Sequence, residues 1–312
     1  MGEPRTLKTS RGIYRVPHLG LWSERFDPPR GAGVLGPGDR VVALGSCFAT
    51  DATRYLRRRG YVARRYPGGL LYNSDVVRLE LEHVLADRAW PAEIALEGHD
   101  ASMHRFRRLS APTAAELAEV DLAATAQARR QLQRADVVLI ILGTTTEVWR
   151  DSTNSEPTNQ IPPPPSYERG GWQLDDGSLD AIRDDVAAIA GVLSERTAAR
   201  QVFSVCPIPL HATWVDRNVA EANGRGKALL RIALDLDLPE DAVYLPLWDW
   251  MQAQAERRSP TKRDGRHFDR RGLNRIMRFA EQFLGTGEAP ALGTGERVRA
   301  VIEDVRERIA LR

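Results

Sequence analysis

Five short runs of β-branched and aliphatic residues, at 40–44, 61–64, 137–142, 201–206 and 242–245, alternate with longer stretches whose apolar positions recur at helical spacing, at 49–59, 74–85, 114–133, 179–196 and 220–236. Strands separated by helices of this length return in the same direction, so the rhythm predicts an α/β fold: a mostly parallel sheet, right-handed crossovers and helices on both faces. In open sheets of this kind ligands bind beyond the carboxyl ends of the strands. The loops that follow the strands are therefore where chemistry is expected.

One domain over 37–286 carries this pattern. An extension rich in Pro, Gly and aromatics (1–36) reads as irregular and suited to wrapping the domain or supporting a homo-oligomer. A helix at 271–284 closes the domain, and after a Gly/Pro-rich linker a helix at 296–310 forms a C-terminal appendage over 287–312. Lys and Arg number 44 against 42 Asp and Glu, a formal charge of +2, so no field of one sign marks a nucleic-acid or membrane partner. The run 137–142 is too short to cross a bilayer, and the first residues lack an apolar signal core. Cys47 and Cys206 form neither a disulfide framework nor a metal-ligand spacing, and thiols of this kind suit a cytoplasmic setting.

The loop after the first strand reads Leu44-Gly45-Ser46-Cys47-Phe48-Ala49. Two readings of Ser46 stand side by side: an N-cap of the following helix, or a nucleophile at the helix's positive end with N–H groups beside it that can hold an oxyanion. A nucleophilic serine needs a base. Among the six histidines only His267 has an aspartate three positions before it, in Asp264-Gly265-Arg266-His267. At that turn spacing the carboxylate can accept one imidazole N–H while the other ring nitrogen faces the nucleophile. The segment follows the last predicted strand, on the rim that carries Ser46. Cys47 is the rival nucleophile, set against its reading as a buried small hydrophobe. His99 and His104 have a spacing that suits no common metal pair, and surface or substrate-contact roles are expected, with His104 a substrate-binding candidate. Gly224-Arg225-Gly226-Lys227 lacks the glycine a phosphate loop needs at Glu221, and Lys227 with Arg231 is expected on a polar helix face.

The motif at 44–49 resembles the one that names the GSCFA family, a bacterial branch of the SGNH/GDSL hydrolase superfamily. The resemblance continues through Gly68-Gly69-Leu70-Leu71-Tyr72-Asn73, the LGTTTEVW of 142–149, the CPIPLHAT of 206–213, the ANGRGKALLR of 222–231 and Asp264 to His267. It implies a three-layer α/β/α sandwich with a five-stranded sheet in flavodoxin-like order. It further implies Ser46 as nucleophile, His267 as general base and acid, Asp264 as the group orienting it, and no cofactor. For the oxyanion hole it implies the N–H of Ser46 and of Gly69. The third donor departs from the superfamily's GxND pattern: here stands Gly143-Thr144-Thr145-Thr146-Glu147, so a hydroxyl such as that of Thr145, or the amide of Asn73, takes that place.

The reaction the resemblance implies is cleavage of an O-acyl ester, on a small molecule or a glycan, through a Ser46 acyl-enzyme. Water as acceptor makes an esterase; a sugar or other alcohol makes an O-acyltransferase. A catalytically idle module of the same fold, binding a carbohydrate or partner protein, is the reading the missing asparagine favours. The segment 151–171 follows the third strand, is stiffened by proline and reads as a lid or specificity loop. Trp149, Tyr167 and Trp172 are its candidate apolar contacts, or else core anchors.

Overall fold

The structure is a computed structural model that describes residues 5–9, 12–16, 32–143, 146–254 and 261–285. Strands β1 (Arg5–Thr9) and β2 (Gly12–Val16) pair as an antiparallel hairpin, so the extension read as irregular carries regular structure. The α/β alternation follows with β3 (Arg40–Gly45), α1 (Cys47–Arg59), β4 (Val62–Arg65) and α2 (Ser74–Ala86). A small antiparallel sheet of β5 (Ala95–Glu97), β6 (Ser102–His104) and β7 (Ser110–Ala111) precedes α3 (Ala114–Gln133) and β8 (Val137–Leu142). Next come β9 (Val148–Asp151), the short α4 (Pro164–Glu168) and β10 (Trp172–Asp175), with β9 and β10 paired antiparallel. The chain continues through α5 (Leu179–Arg196), β11 (Arg200–Val205), α6 (Val219–Asp237), β12 (Val243–Tyr244), α7 (Leu247–Gln254) and α8 (Arg270–Leu284).

The expected central sheet is present, with five strands in the order β12-β11-β8-β3-β4 and every neighbouring pair parallel. The second strand of the alternation lies on one side of the first and the remaining three on the other, which is the flavodoxin-like order. β8 runs down the middle with all six side chains buried, the environment that an uninterrupted apolar strand requires. Its side chains alternate: Val138, Ile140 and Leu142 join one core with α2, α5 and α6, while Val137, Leu139 and Ile141 join a second core with α1, α7 and α8. Two cores separated by one sheet make the three-layer sandwich.

Local chemistry sets the helix ends. Ser178 caps α5 by accepting the Ala181 N–H at 3.2 Å, and Thr113 with Glu116 forms a capping box on α3. The sequence pattern did not announce β5–β7, β9–β10, α4 and α7. Strands of two to four residues are too short to display a period. The helix expected at 296–310 and its linker lie outside the described residues. Among the described residues no helix is long and apolar enough to cross a membrane.

The strand order reverses between β3 and β8, and the turns leaving both strands meet there. The Ser46 N–H donates to the Ile141 carbonyl at 3.0 Å, and the Leu71 N–H to the Gly45 carbonyl at 2.8 Å. The serine motif and the Gly68–Asn73 block are thus joined at the switch point, where open α/β sheets hold their ligands.

Candidate active site

Ser46 occupies the N-cap position of α1 in extended conformation, yet its side chain makes no capping hydrogen bond. Its Oγ is fully buried, makes no hydrogen bond to an oxygen or nitrogen among the described residues, and has the Cys206 thiol beside it. Unlike Ser178, Ser46 makes no side-chain cap. Gly45 brings the chain here at φ +112°, and a Cβ at that residue would lie 2.2 Å from the Ile141 carbonyl oxygen, so only glycine fits the turn. A buried hydroxyl with only a weakly bonding thiol beside it is costly to keep.

Lys227 is not on a polar helix face. It is buried, and its Nζ donates to the Gly143 carbonyl at 2.6 Å. The reason lies in its neighbour: a Cβ on Gly226 would stand 3.1 Å from Thr146 Oγ1, so the glycine lets α6 approach the end of β8 closely and the lysine stem reaches inward. Burial lowers the Lys227 pKa, and the Cys206 and Cys47 thiols oppose that by favouring its charged form. Burial alone pushes the Cys206 thiol up, but the adjacent Cys47 thiol, the Lys227 ammonium and the Ser46 hydroxyl outweigh it and bring it down. Cys47 moves the other way, raised first by its hydrogen bond with Cys206 and then by burial. The two cysteines, distant in sequence, meet across the serine.

The Asp264–His267 turn is built as its spacing predicts. Asp264 Oδ1 accepts the backbone N–H groups of Arg266 at 2.9 Å and His267 at 3.0 Å, while Oδ2 lies 2.8 Å from His267 Nδ1. The Arg266 N–H first, and the imidazole next, hold the Asp264 carboxyl down at about 2. His267 Nε2 makes no hydrogen bond among the described residues, which leaves that nitrogen available. Phe268 packs edge-on against Phe48 at 5.6 Å between ring centroids and so ties the turn to the first residues of α1, beside Ser46. Arg266 is anchored by its Nε to the Pro209 carbonyl at 3.1 Å. The His267 side chain is 39% exposed, Ser46 is sealed, and no hydrogen bond joins them. The Asp264–His267 pair is assembled at the surface, and Ser46 is buried.

The oxyanion candidates differ in how far they are committed. The Ser46 N–H is engaged by Ile141, and the Gly69 N–H donates to the Tyr66 carbonyl at 3.2 Å. Asn73 caps α2, its Oδ1 accepting the Val76 N–H at 2.9 Å, while its Nδ2 makes only a 3.5 Å contact with the Thr158 carbonyl. The Asn73 amide is the least committed donor of the three. Thr145 lies outside the described residues. Sequence reasoning missed Asn159, whose carboxamide accepts the Tyr72 N–H at 2.9 Å and donates to the Leu70 carbonyl at 2.6 Å, clamping the Gly68–Asn73 block. It stands in a proline-rich loop with no local signal of that role.

His104 is not a substrate contact. It is buried, with Nε2 2.9 Å from Asp121 Oδ1 and Nδ1 accepting the Phe106 and Arg107 N–H groups at 3.0 and 3.1 Å. Both ring nitrogens are spent, and burial lowers its pKa. The neighbouring Arg107 is buried against Glu80 and Asp121, so this is a structural polar network. Trp149 and Tyr167 do meet, edge to face at 5.5 Å, and Trp149 packs on Trp214 at 6.2 Å. Trp172 instead donates its indole N–H to the Ser166 carbonyl, an anchor within the segment itself. The segment between β9 and β10 is strapped down by Arg105, whose guanidinium donates to the Pro157 carbonyl at 3.1 Å and the Glu156 carbonyl at 2.7 Å.

Fold and site together define a flavodoxin-ordered α/β/α protein with a serine, histidine and aspartate gathered on the carboxyl rim of its sheet. The chain belongs to the GSCFA family, whose family model matches residues 40–279. No curated protein matches it.

Proposed function

We propose that this chain is a serine enzyme of the SGNH/GDSL type that cleaves an O-acyl ester, on a small molecule or a glycan, through a Ser46 acyl-enzyme. The observation that carries the reading is an Asp264–His267 pair whose outer ring nitrogen makes no hydrogen bond among the described residues, tied through Phe268 and Phe48 to the start of the helix that buried Ser46 precedes. In the reaction His267 Nε2 takes the Ser46 proton as Oγ attacks the acyl carbonyl, then returns it to the leaving alkoxide. Water, activated by the same nitrogen, releases the acid and restores the serine. Asp264 holds the proton on Nδ1 and stabilises the imidazolium. The Asn73 amide serves as the donor to the developing oxyanion. Ligand-free sites often hold such contacts long, and here substrate entry has to uncover Ser46 and bring His267 to it.

A catalytically idle binding module is the second reading, favoured by the engagement of both the Ser46 and Gly69 N–H groups. Hydrolysis of p-nitrophenyl acetate, with products analysed in the presence and absence of a competing alcohol, separates the possibilities. Acetate release lost in Ser46→Ala supports the esterase, and acetyl transfer to the alcohol redirects it to an acyltransferase. Equal release by native and Ser46→Ala chains removes the proposed mechanism.

A further inference from the structure

A cleft of about 320 Å³ opens beside the site, of the size small-molecule pockets have at their lower end. Both of its walls adjoin the proposed triad. Tyr72 on one wall follows Leu71, whose N–H is bonded to Gly45, and Leu210 on the other follows Pro209, whose carbonyl holds Arg266.

The lining excludes several ligand classes. Among the described residues that form it there is no Lys, Arg or His, so a phosphate, sulfate or nucleotide finds no counter-charge. Its one carboxylate, Glu147, is committed to the Thr213 hydroxyl and to the Trp214 N–H at 2.9 Å. An all-apolar chain would bury the Gln160 carboxamide, which stands in the wall and makes no hydrogen bond among the described residues, without a partner. What remains is aromatic surface. Trp214 is 54% exposed although its backbone is pinned by Glu147 and its ring is set against Trp149, whose indole N–H is buried and unpartnered among the described residues. Tyr167, 47% exposed, completes the aromatic edge. Exposed aromatic faces next to the uncommitted Gln160 amide match a ligand that has apolar C–H faces and hydroxyls around its rim.

We infer that this cleft is a carbohydrate subsite, in which one or two sugar rings lie against Trp214 and Trp149 and hydrogen-bond to Gln160. The inference deepens the proposed function by assigning the substrate class, and it rests on that reading only for the fate of the ester, not for binding.

The test uses the full chain carrying Ser46→Ala, so that binding is read without turnover, with acetylated xylobiose as probe in isothermal titration calorimetry. Binding is expected, weakened on the order of tenfold or more by adding Trp214→Ala and largely restored by Trp214→Phe. Because Trp214 is exposed, circular dichroism of these variants should match the parent. Absence of binding, or equal affinity in Trp214→Ala, overturns the subsite. Tighter binding of octanoate or of glucose phosphate at the same cleft overturns the assignment of class. Turnover of p-nitrophenyl acetate by the native chain is scored separately: activity without sugar binding removes the subsite alone, and sugar binding without activity removes the enzyme alone.

Discussion

Two histidine–aspartate pairs among the described residues stand at nearly the same distance, and their surroundings are opposite. His104 lies 2.9 Å from Asp121 and His267 lies 2.8 Å from Asp264. Around His104 the chain is closed: the second nitrogen takes two backbone N–H groups, and the pair continues into buried Arg107 and Glu80. Around His267 the aspartate is fixed by two backbone N–H groups and the second nitrogen is left open at a half-exposed rim. A carboxylate beside an imidazole therefore does not identify a base. The state of the remaining nitrogen does, because an imidazole with both nitrogens committed has no site from which to move a proton.

The sharpest way to break that comparison is to remove each imidazole in turn. His267→Ala and Ser46→Ala should each lower kcat for ester hydrolysis on the order of 10⁴-fold or more. Both should melt close to the native temperature, since the Ser46 hydroxyl caps no helix and bonds no oxygen or nitrogen among the described residues. His104→Ala should do the reverse, destabilising the fold by about 2–4 kcal/mol in chemical denaturation while the folded protein keeps its kcat, since two N–H groups and Asp121 lose their partner. Retained activity in His267→Ala, or lost kcat in folded His104→Ala, would exchange the two roles.

A smaller effect separates the buried side of the site from its open side. Lys227 has a pKa below the ordinary lysine value, so the folded state releases that proton sooner than the unfolded chain. Stability should accordingly rise with pH between the lowered value and the ordinary one, and Lys227→Met should lose that rise in denaturation curves taken across alkaline pH. The smallest effect belongs to Asp264. Its depressed pKa makes its contribution to stability full above the usual aspartate value and lost as the pH falls toward about 2. Asp264→Asn should flatten the acid limb of the melting temperature slightly, an exposed group being well screened.

What the sequence displayed and what it hid follow from range. Periods of two and 3.6 sustained over long windows placed β8, α3 and α5 at their observed bounds of 137–142, 114–133 and 179–196. The Asp264–His267 pair was legible because a turn of four residues encodes its own geometry. Lys227 was misread because its burial depends on Gly226 meeting Thr146, a contact between elements about eighty positions apart. The approach of Cys47 to Cys206 and the clamp of Asn159 on residues 70–72 are likewise tertiary, and neither leaves a periodic trace. His104 misled for the opposite reason: an isolated histidine reads the same in sequence whether its nitrogens are spent or open.

The central claim is that Ser46 is an activated nucleophile served by His267. Intact-protein mass after exposure to a serine-directed fluorophosphonate tests it most directly, on the native chain, Ser46→Ala and His267→Ala side by side. One adduct on the native chain, absent from Ser46→Ala and strongly slowed in His267→Ala, is the expected result. A native chain that takes no adduct, or an adduct that persists in Ser46→Ala, would contradict the claim.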